Sequence, residues 1–599
     1  MIKQVTTYET ITPVNRLWLV YWFRRNRHFK FIQKYKTLTF KEQHRVRNIR
    51  FYARTLLALQ EFQKARNIMI SLRKRISDPL QRNVLEDEIS RVNFIIESNN
   101  ILGSYPQPKI PKGVVFIASL RCFNTLAMLV PSLLILKQRG YAIINLVPGM
   151  LETSNTGLEY IDKFSNCLPT NMHSYKHQQK WYINWSKKEV IADDINFYQG
   201  FYECLSTRSR KYFVDINKPE NYKQFCTVLK HSDACLTICK KIFNDLVEQR
   251  KIPVVFVAGN SHIPPYSIFR DFARCKNHKL MSFVSASIAY ENYFSNLGSK
   301  TSHTMCVTDM TLYPNLRAPF LPRRDMFEKW YEKNRNNDEF LLKTSKLIQV
   351  NRTGSSNNTQ KIELINFLKK QKILHKKVIC CFGKIPVDLN VPYDGGPAHE
   401  DMADWINHTI SICGGNEDII LLIKPHPHEL RPEIALDLVE GFVDLIRVEI
   451  KPNIYILKHK EINTHELVPY LDLAILWNGS SALELTAQGV SVMMCSYFGK
   501  HDYPVDLIYP TDRAHYEQYL LNLDFAKPNE ELRNRAAFLI TYMGTDEISI
   551  LNDYSLRQVT NDRIGIPRWK KDKIKEFLEK GDPNMELVAS RIVEKFTIL

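Results

Sequence analysis

The sequence predicts an α/β protein with two parallel-sheet units, a helical region in front of them and helices behind. Three observations carry this. Short continuous apolar runs alternate with segments of helical spacing, as strands buried on both faces do between crossover helices. The alternation comes in two blocks, parted by the polar stretch Asn-Arg-Thr-Gly-Ser-Ser-Asn-Asn-Thr-Gln at residues 351–360. The first block is itself set off by Ser104-Tyr-Pro-Gln-Pro-Lys-Ile-Pro111, with three prolines in eight residues.

Taken in order, residues 1–105 read as helical. From Ile49 through Tyr52, Leu56, Leu59 and Phe62 the apolar positions recur every three to four residues, and a second helical stretch covers about 81–97. The first α/β unit, 112–345, has strand runs at Val114–Ser119, Tyr141–Val147, Pro253–Ala258 and Lys279–Val284. Its helices fall at about Asn124–Arg139, Tyr222–Gln249 and Tyr266–Cys275. The second, 362–530, has runs at Val378–Phe382, Ile419–Ile423, Ile454–Leu457, Leu473–Leu476 and Val490–Cys495. Residues 531–599 read as helical, with no strand set of their own. The alternation makes both units Rossmann-like.

Composition bounds the rest. The 599 residues exceed one ordinary core, and 44% hydrophobic content supplies several. Residues 1–80 hold 18 Lys and Arg against four acids, which places +14 of the net +19 there. Such a block favours a polyanion, either nucleic acid or an anionic membrane surface, or it is a solvated helical face. The aromatics in it follow no RNA-binding pattern and no zinc or helix-turn-helix signature occurs, so nucleic acid is not the expected partner. The 12 cysteines include no Cys-x-x-Cys, and the pairs Cys235/Cys239 and Cys380/Cys381 lack metal or disulfide-framework spacing. Reduced thiols in a cytoplasmic protein are expected. Leu17–Phe23, stopped by Arg24-Arg25, and Thr125–Leu136 are too short to span a bilayer.

Two stretches of the second unit carry the chemistry. Lys424-Pro425-His426-Pro427-His428-Glu429 follows the strand Ile419–Ile423, at the carboxyl end where parallel sheets bind ligands. The prolines stiffen the loop, and a cation beside imidazoles suits a phosphate or diphosphate leaving group. An ordinary strand exit with exposed histidines is the alternative. Fifty-odd residues on, strand Leu473–Leu476 leads through Trp477 and an Asn478-Gly479 turn into a helix with Ser480 or Ser481 as N-cap. Its free N–H groups and hydroxyls would suit an anion. Glu484, one turn in, would reach a ribose or sugar hydroxyl. A plain helix cap is the alternative here.

A third stretch, Pro392-Tyr-Asp-Gly-Gly-Pro-Ala-His-Glu-Asp401, precedes another helix and either lines the same pocket through Asp394, His399 or Glu400 or is a simple helix-leading loop. In the first unit Gly259-Asn-Ser-His262 follows a strand in the same topological place, which makes His262 an acceptor-side candidate, while Asp271 and Glu291 are possible general bases.

At these residues the sequence resembles the bacterial capsule polysaccharide biosynthesis proteins, a group that includes Kdo transferases. The markers lie within about 375–500: Lys424-Pro-His-Pro427, Asn463-Thr-His-Glu-Leu467, and Gly479-Ser-Ser-Ala-Leu-Glu484 followed by Gly489. His426-Pro427 and Ser480-Ser481 are also similar to the His-Pro and Ser-Ser motifs of bacterial sialyl- and polysialyltransferases, which bind the phosphate of a CMP-sugar. Asp394-Gly395 is the nearest counterpart of the acidic motif that polysialyltransferases place before the His-Pro.

The resemblance implies a metal-independent glycosyltransferase of GT-B fold with no cofactor beyond its nucleotide-sugar. The C-terminal unit would hold the donor, CMP-linked and Kdo-like, and the N-terminal unit a glycan or lipid-linked acceptor. It implies catalytic roles for Lys424, His426, Asp394 and His262. Donor contacts would come from Lys424, His426, His428, Glu429, Asn478, Gly479, Ser480, Ser481, Glu484 and His399. The basic N-terminal block would then dock the enzyme on the anionic inner leaflet. The competing expectations are a sugar-nucleotide epimerase or polyol-phosphate transferase on the same scaffold, and a basic nucleic-acid-binding protein.

Overall fold

The structure is a computed structural model that describes residues 28–593. The stretches 39–42, 44–45, 119–122, 148–150, 152–154, 170–174, 259–262, 286–302, 310–323, 343–358, 431–439 and 498–502, and a few single or paired positions, lie outside the description.

Two sheets organise the chain. The strands are, in order, β1 (Gly113–Ile117), β2 (Tyr141–Asn145), β3 (Tyr182–Asn184), β4 (Glu189–Ala192), β5 (Ile195–Asn196), β6 (Val254–Ala258), β7 (Lys279–Ser285) and β8 (His303–Asp309). They continue as β9 (Lys377–Phe382), β10 (Ile419–Lys424), β11 (Ile454–Ile456), β12 (Leu473–Leu476), β13 (Ser491–Met494) and β14 (Ile550–Asn552). The first sheet has six strands in the order β14-β8-β7-β6-β1-β2, parallel from β7 to β2 and antiparallel at β8 and β14. The second has five, all parallel, in the order β11-β10-β9-β12-β13. That is the doubly wound order 3-2-1-4-5, in which successive crossovers leave β9 in opposite directions. The chain is thus an α/β protein of two Rossmann-like units, the GT-B-like arrangement expected, with helices at its N-terminal end.

The strand runs of the sequence reappear within a residue or two. β1, β6, β10 and β12 are buried along their whole length because helices cover both faces. The longest apolar segment is the helix Phe123–Gln138, apolar all round because it is enclosed. One face meets the first sheet. The other meets the helix Pro79–Gly103, where Phe94 and Phe123 lie edge to face at 5.8 Å, and the helix Pro583–Val593. No described helix is long and apolar enough to cross a membrane.

The tail differs from expectation. Residues 531–599 read as helical, yet the segment divides. The helix Glu530–Met543 packs into the core of the second unit. β14 then joins the edge of the first sheet through Ile550, Leu551 and Asn552, and Trp569, Met585 and Val588 enter the core beside Phe94. Three residues of strand are too few to produce a legible period, and their pairing to β8 is a tertiary event. Trp569 stacks on Phe94 at 5.3 Å and donates its indole N–H to Ser98 Oγ at 3.0 Å. The helix Pro79–Gly103 and the tail therefore share one core with the first unit.

The helix Arg324–Asn334 packs into the core of the second unit through Phe327, Trp330 and Tyr331, and the units also meet around Tyr198–Tyr212. Tyr212, fully buried, sits in the core of the second unit, where its hydroxyl accepts the Met402 N–H at 2.9 Å and its own N–H donates to Glu440 at 3.0 Å. Nearby, Tyr198 of the first unit faces Tyr393 of the second at 6.1 Å.

Candidate functional site

The doubly wound order places the ends of β10 and β12 on either side of β9, at the carboxyl edge where the crossovers diverge. Lys424 closes β10, its carbonyl accepting the Gly383 N–H at 2.8 Å. Its side chain is only 5% exposed. No hydrogen bond or ion pair of its ammonium occurs among the described residues. Burial lowers its pKa, opposed in part by Cys380 and Glu461. A buried cation without a paired anion is costly, and a bound anion relieves that cost.

The rest of the loop divides in function. Pro425 is buried and His426 half-buried. His428 lies in the 3₁₀ turn Pro427–Leu430, with its side chain outside the described residues. Glu429, expected as a donor contact, turns inward. One carboxylate oxygen lies 2.7 Å from His459 Nε2 and the other accepts the Phe442 N–H at 3.1 Å. Burial raises its pKa while His459 and the Phe442 N–H draw it down. A buried carboxylate takes the donors that converge on it, and here these are two returning loops rather than the open edge.

Across β9, Asn478 is buried and Gly479 takes φ +139°, a conformation that favours glycine. The expected cap is not made. Ser480 stands at the N-cap position with helical angles, φ −67° and ψ −20°, and its side chain makes no capping bond to the seven-residue helix Ser481–Ala487. The hydroxyls of Ser480 and Ser481 form no hydrogen bond among the described residues. Glu484 is 6% exposed, and burial pushes its carboxyl up to about 8. It faces His465 Nε2 at 3.4 Å. His465 belongs to the helix Thr464–Leu467, held by a capping box in which Glu466 accepts the Asn463 N–H at 3.0 Å.

The glycine-rich loop closes over the same edge. Gly395 accepts the Tyr497 N–H at 2.8 Å, and any Cβ on Gly396 would collide with the Cys495 carbonyl, just past β13. Asp394 beside them is buried. His399 goes elsewhere. Its Nε2 meets His408 Nδ1 at 2.9 Å, His408 Nε2 meets Glu517 at 2.9 Å, and Tyr516 packs edge-on at 4.6 Å. Burial, then the neighbouring His408, pushes its pKa down to about 3. His399 is therefore a neutral interior group of the helix-packing layer and is not gathered with Lys424.

In the first unit His262 and Glu291 lie outside the described residues. Asp271 is engaged: Arg270 donates to it from Nε at 2.7 Å and Nη2 at 3.1 Å. Sequence reasoning assigned no role to His459, Arg270 or Tyr212. His465 was on view inside the Asn463–Leu467 marker, but its partner is 19 positions away and no spacing rule links them.

No protein-family model matches the chain, and no curated protein does. Among solved structures it is similar to a β-Kdo 2,4 transferase, KpsC of Thermosulfurimonas dismutans, at 13% identity over 54% of this chain and 86% of that one, with a TM-score of 0.23. It is similar also to the UDP-GlcNAc 2-epimerase of Neisseria meningitidis bound to UDP-GlcNAc, at 10% identity over 72% and 99%, TM-score 0.19. The wall teichoic acid polymerase TagF follows at 11% identity over 86% and 94%, TM-score 0.18. At such scores the likeness adds nothing to the reading of the site, which rests on its own residues.

Proposed function

We propose that this chain is a glycosyltransferase of surface-polysaccharide assembly that takes its sugar from a nucleotide-sugar, CMP-linked and Kdo-like, and passes it to a glycan or lipid-linked acceptor. The observation that carries the reading is Lys424, a buried ammonium that makes no ion pair among the described residues, at the diverging edge of a doubly wound sheet. In this reading Lys424 and His426 stabilise the departing nucleotide phosphate. The hydroxyls of Ser480 and Ser481 hold that phosphate from across β9, and Glu484 meets a hydroxyl of the ribose. Asp394, buried in the loop over the same edge, faces the sugar.

The test is a thermal-shift series with CMP, UDP, GDP and ADP, because a ligand of the folded state raises the melting temperature by mass action. A shift with CMP alone is the expected result. A shift with UDP or GDP instead replaces the donor class, and no shift with any nucleotide overturns the reading. Free sugar released without acceptor would make the chain an epimerase.

The basic block at residues 1–80 docks the enzyme at an anionic membrane surface in this reading, each Lys or Arg near the surface contributing about 1 kcal/mol. Sedimentation with phosphatidylserine vesicles is expected at low salt and lost at high salt. Protein that stays in the supernatant at low salt would remove the docking role.

A further inference from the structure

His465 lies outside every role assigned above, although it faces Glu484. The hydrogen bonds around it fix which of its nitrogens carries the proton. Gln488 sits one turn beyond Glu484 on the same short helix, and its Nε2 lies 3.1 Å from the main-chain carbonyl of Glu484. A carbonyl only accepts, so the Gln488 atom facing it is the amide nitrogen. The second hydrogen on that nitrogen points to His465 Nδ1 at 2.8 Å. Nδ1 is therefore the acceptor, and in a neutral imidazole the proton sits on Nε2. Nε2 in turn faces Glu484 Oε2 at 3.4 Å. Gln488 thus donates to the imidazole, and the Nε2–H of the ring faces the carboxyl.

The frame around the ring is rigid. The capping box of Asn463 and Glu466 holds the helix that carries it, and Lys361 pairs with Glu466 from a third helix. Both His465 and Glu484 are almost wholly removed from solvent, at 12% and 6% side-chain exposure. His465 lies on the crossover from β11 to β12, and Glu484 one turn into the helix that follows β12.

We propose that His465 is the positioning residue of the donor site: its Nε2–H, with the tautomer set by Gln488, holds the Glu484 carboxyl in the orientation that meets the ribose. This rests on the nucleotide-sugar reading, from which it takes the ribose as ligand.

Two experiments separate this inference from that reading. The first needs no ligand. In protein labelled with ¹⁵N-histidine, the His465 resonances should show Nε2 protonated and Nδ1 bare, and Gln488→Leu should mix the tautomers. A bare Nε2 in the unaltered protein overturns the proposal whatever the protein binds. The second compares CMP with 2′-deoxy-CMP by calorimetry. The unaltered protein should favour the ribonucleotide by about tenfold or more, the worth of one hydrogen bond to a charged or polarised group. His465→Ala should bring the ratio near one, and His465→Gln, whose amide nitrogen falls close to the Nε2 position, should restore most of it. A ratio that survives His465→Ala in folded protein overturns the positioning role. Equal binding of both nucleotides by the unaltered protein removes the ribose contact and the proposal with it. Absence of any nucleotide binding overturns the functional reading itself.

Discussion

Two buried cations of this protein, one in each unit, are treated in opposite ways. In the first unit Arg270 is 3% exposed and clasped by Asp271 through two hydrogen bonds, at 2.7 and 3.1 Å. Its pKa is raised, because Asp271 and Glu203 outweigh a burial that acts the other way. In the second unit Lys424 is 5% exposed with no such partner among the described residues, and burial lowers its pKa. An internal carboxylate makes a buried charge part of the scaffold. A buried charge left uncompensated is a liability in the empty protein and an asset once an anion arrives. In the proposed reading, that anion is the phosphate of the nucleotide-sugar.

The comparison is broken most severely by removing Asp271. Asp271→Ala strands the Arg270 guanidinium and should lower stability by about 3–5 kcal/mol, measured by urea unfolding. A loss below 1 kcal/mol would mean that Arg270, too, is uncompensated by design.

Glu484 gives the next effect. Its carboxyl is raised to about 8, so the folded state favours the protonated form. The stabilising contribution is complete below the unfolded carboxyl value near 4.3 and is lost as pH rises through the folded one. Relative to Glu484→Gln, the unaltered protein should therefore lose about 2 kcal/mol between pH 5 and pH 7. Parallel stability curves for the two would show that His465 fully stabilises the charged form.

Asp233 sharpens the contrast from the compensated side. Burial would raise its pKa, but the N–H groups of Gln178 and Gln179, the Tyr175 hydroxyl and the Trp181 indole N–H hold it below the ordinary value. Asp233→Asn should cost about 1–2 kcal/mol at neutral pH. The gap should persist above the unfolded value near 3.9 and close as pH falls through the lower folded pKa. A gap that survives to pH 2 would trace the loss to packing instead.

The sheets were readable because buried parallel strands are continuous apolar runs, and both Lys424-Pro425-His426-Pro427 and Asn478-Gly479-Ser480-Ser481 stood at strand ends. What stayed hidden was decided between distant segments. β14 is three residues long and joins the far sheet. Ser480 looked like a cap and does not make one. Glu429 and His399 matched the composition of a donor pocket, yet a local pattern of titratable residues does not say which way each points. Their partners, His459 and His408, settle that only in three dimensions.

Lys424→Met tests the central claim most directly, since it replaces the ammonium by an apolar side chain of similar length. Unfolding free energies of the unaltered protein and the variant would be measured with and without saturating CMP. Without nucleotide the variant should be as stable as the parent or more so, because a buried unpaired charge has been removed. With nucleotide, the stabilisation seen in the parent should be absent. A variant that loses about 3 kcal/mol or more without ligand, yet keeps the full increment from CMP, would make Lys424 a structural cation like Arg270 and contradict the account.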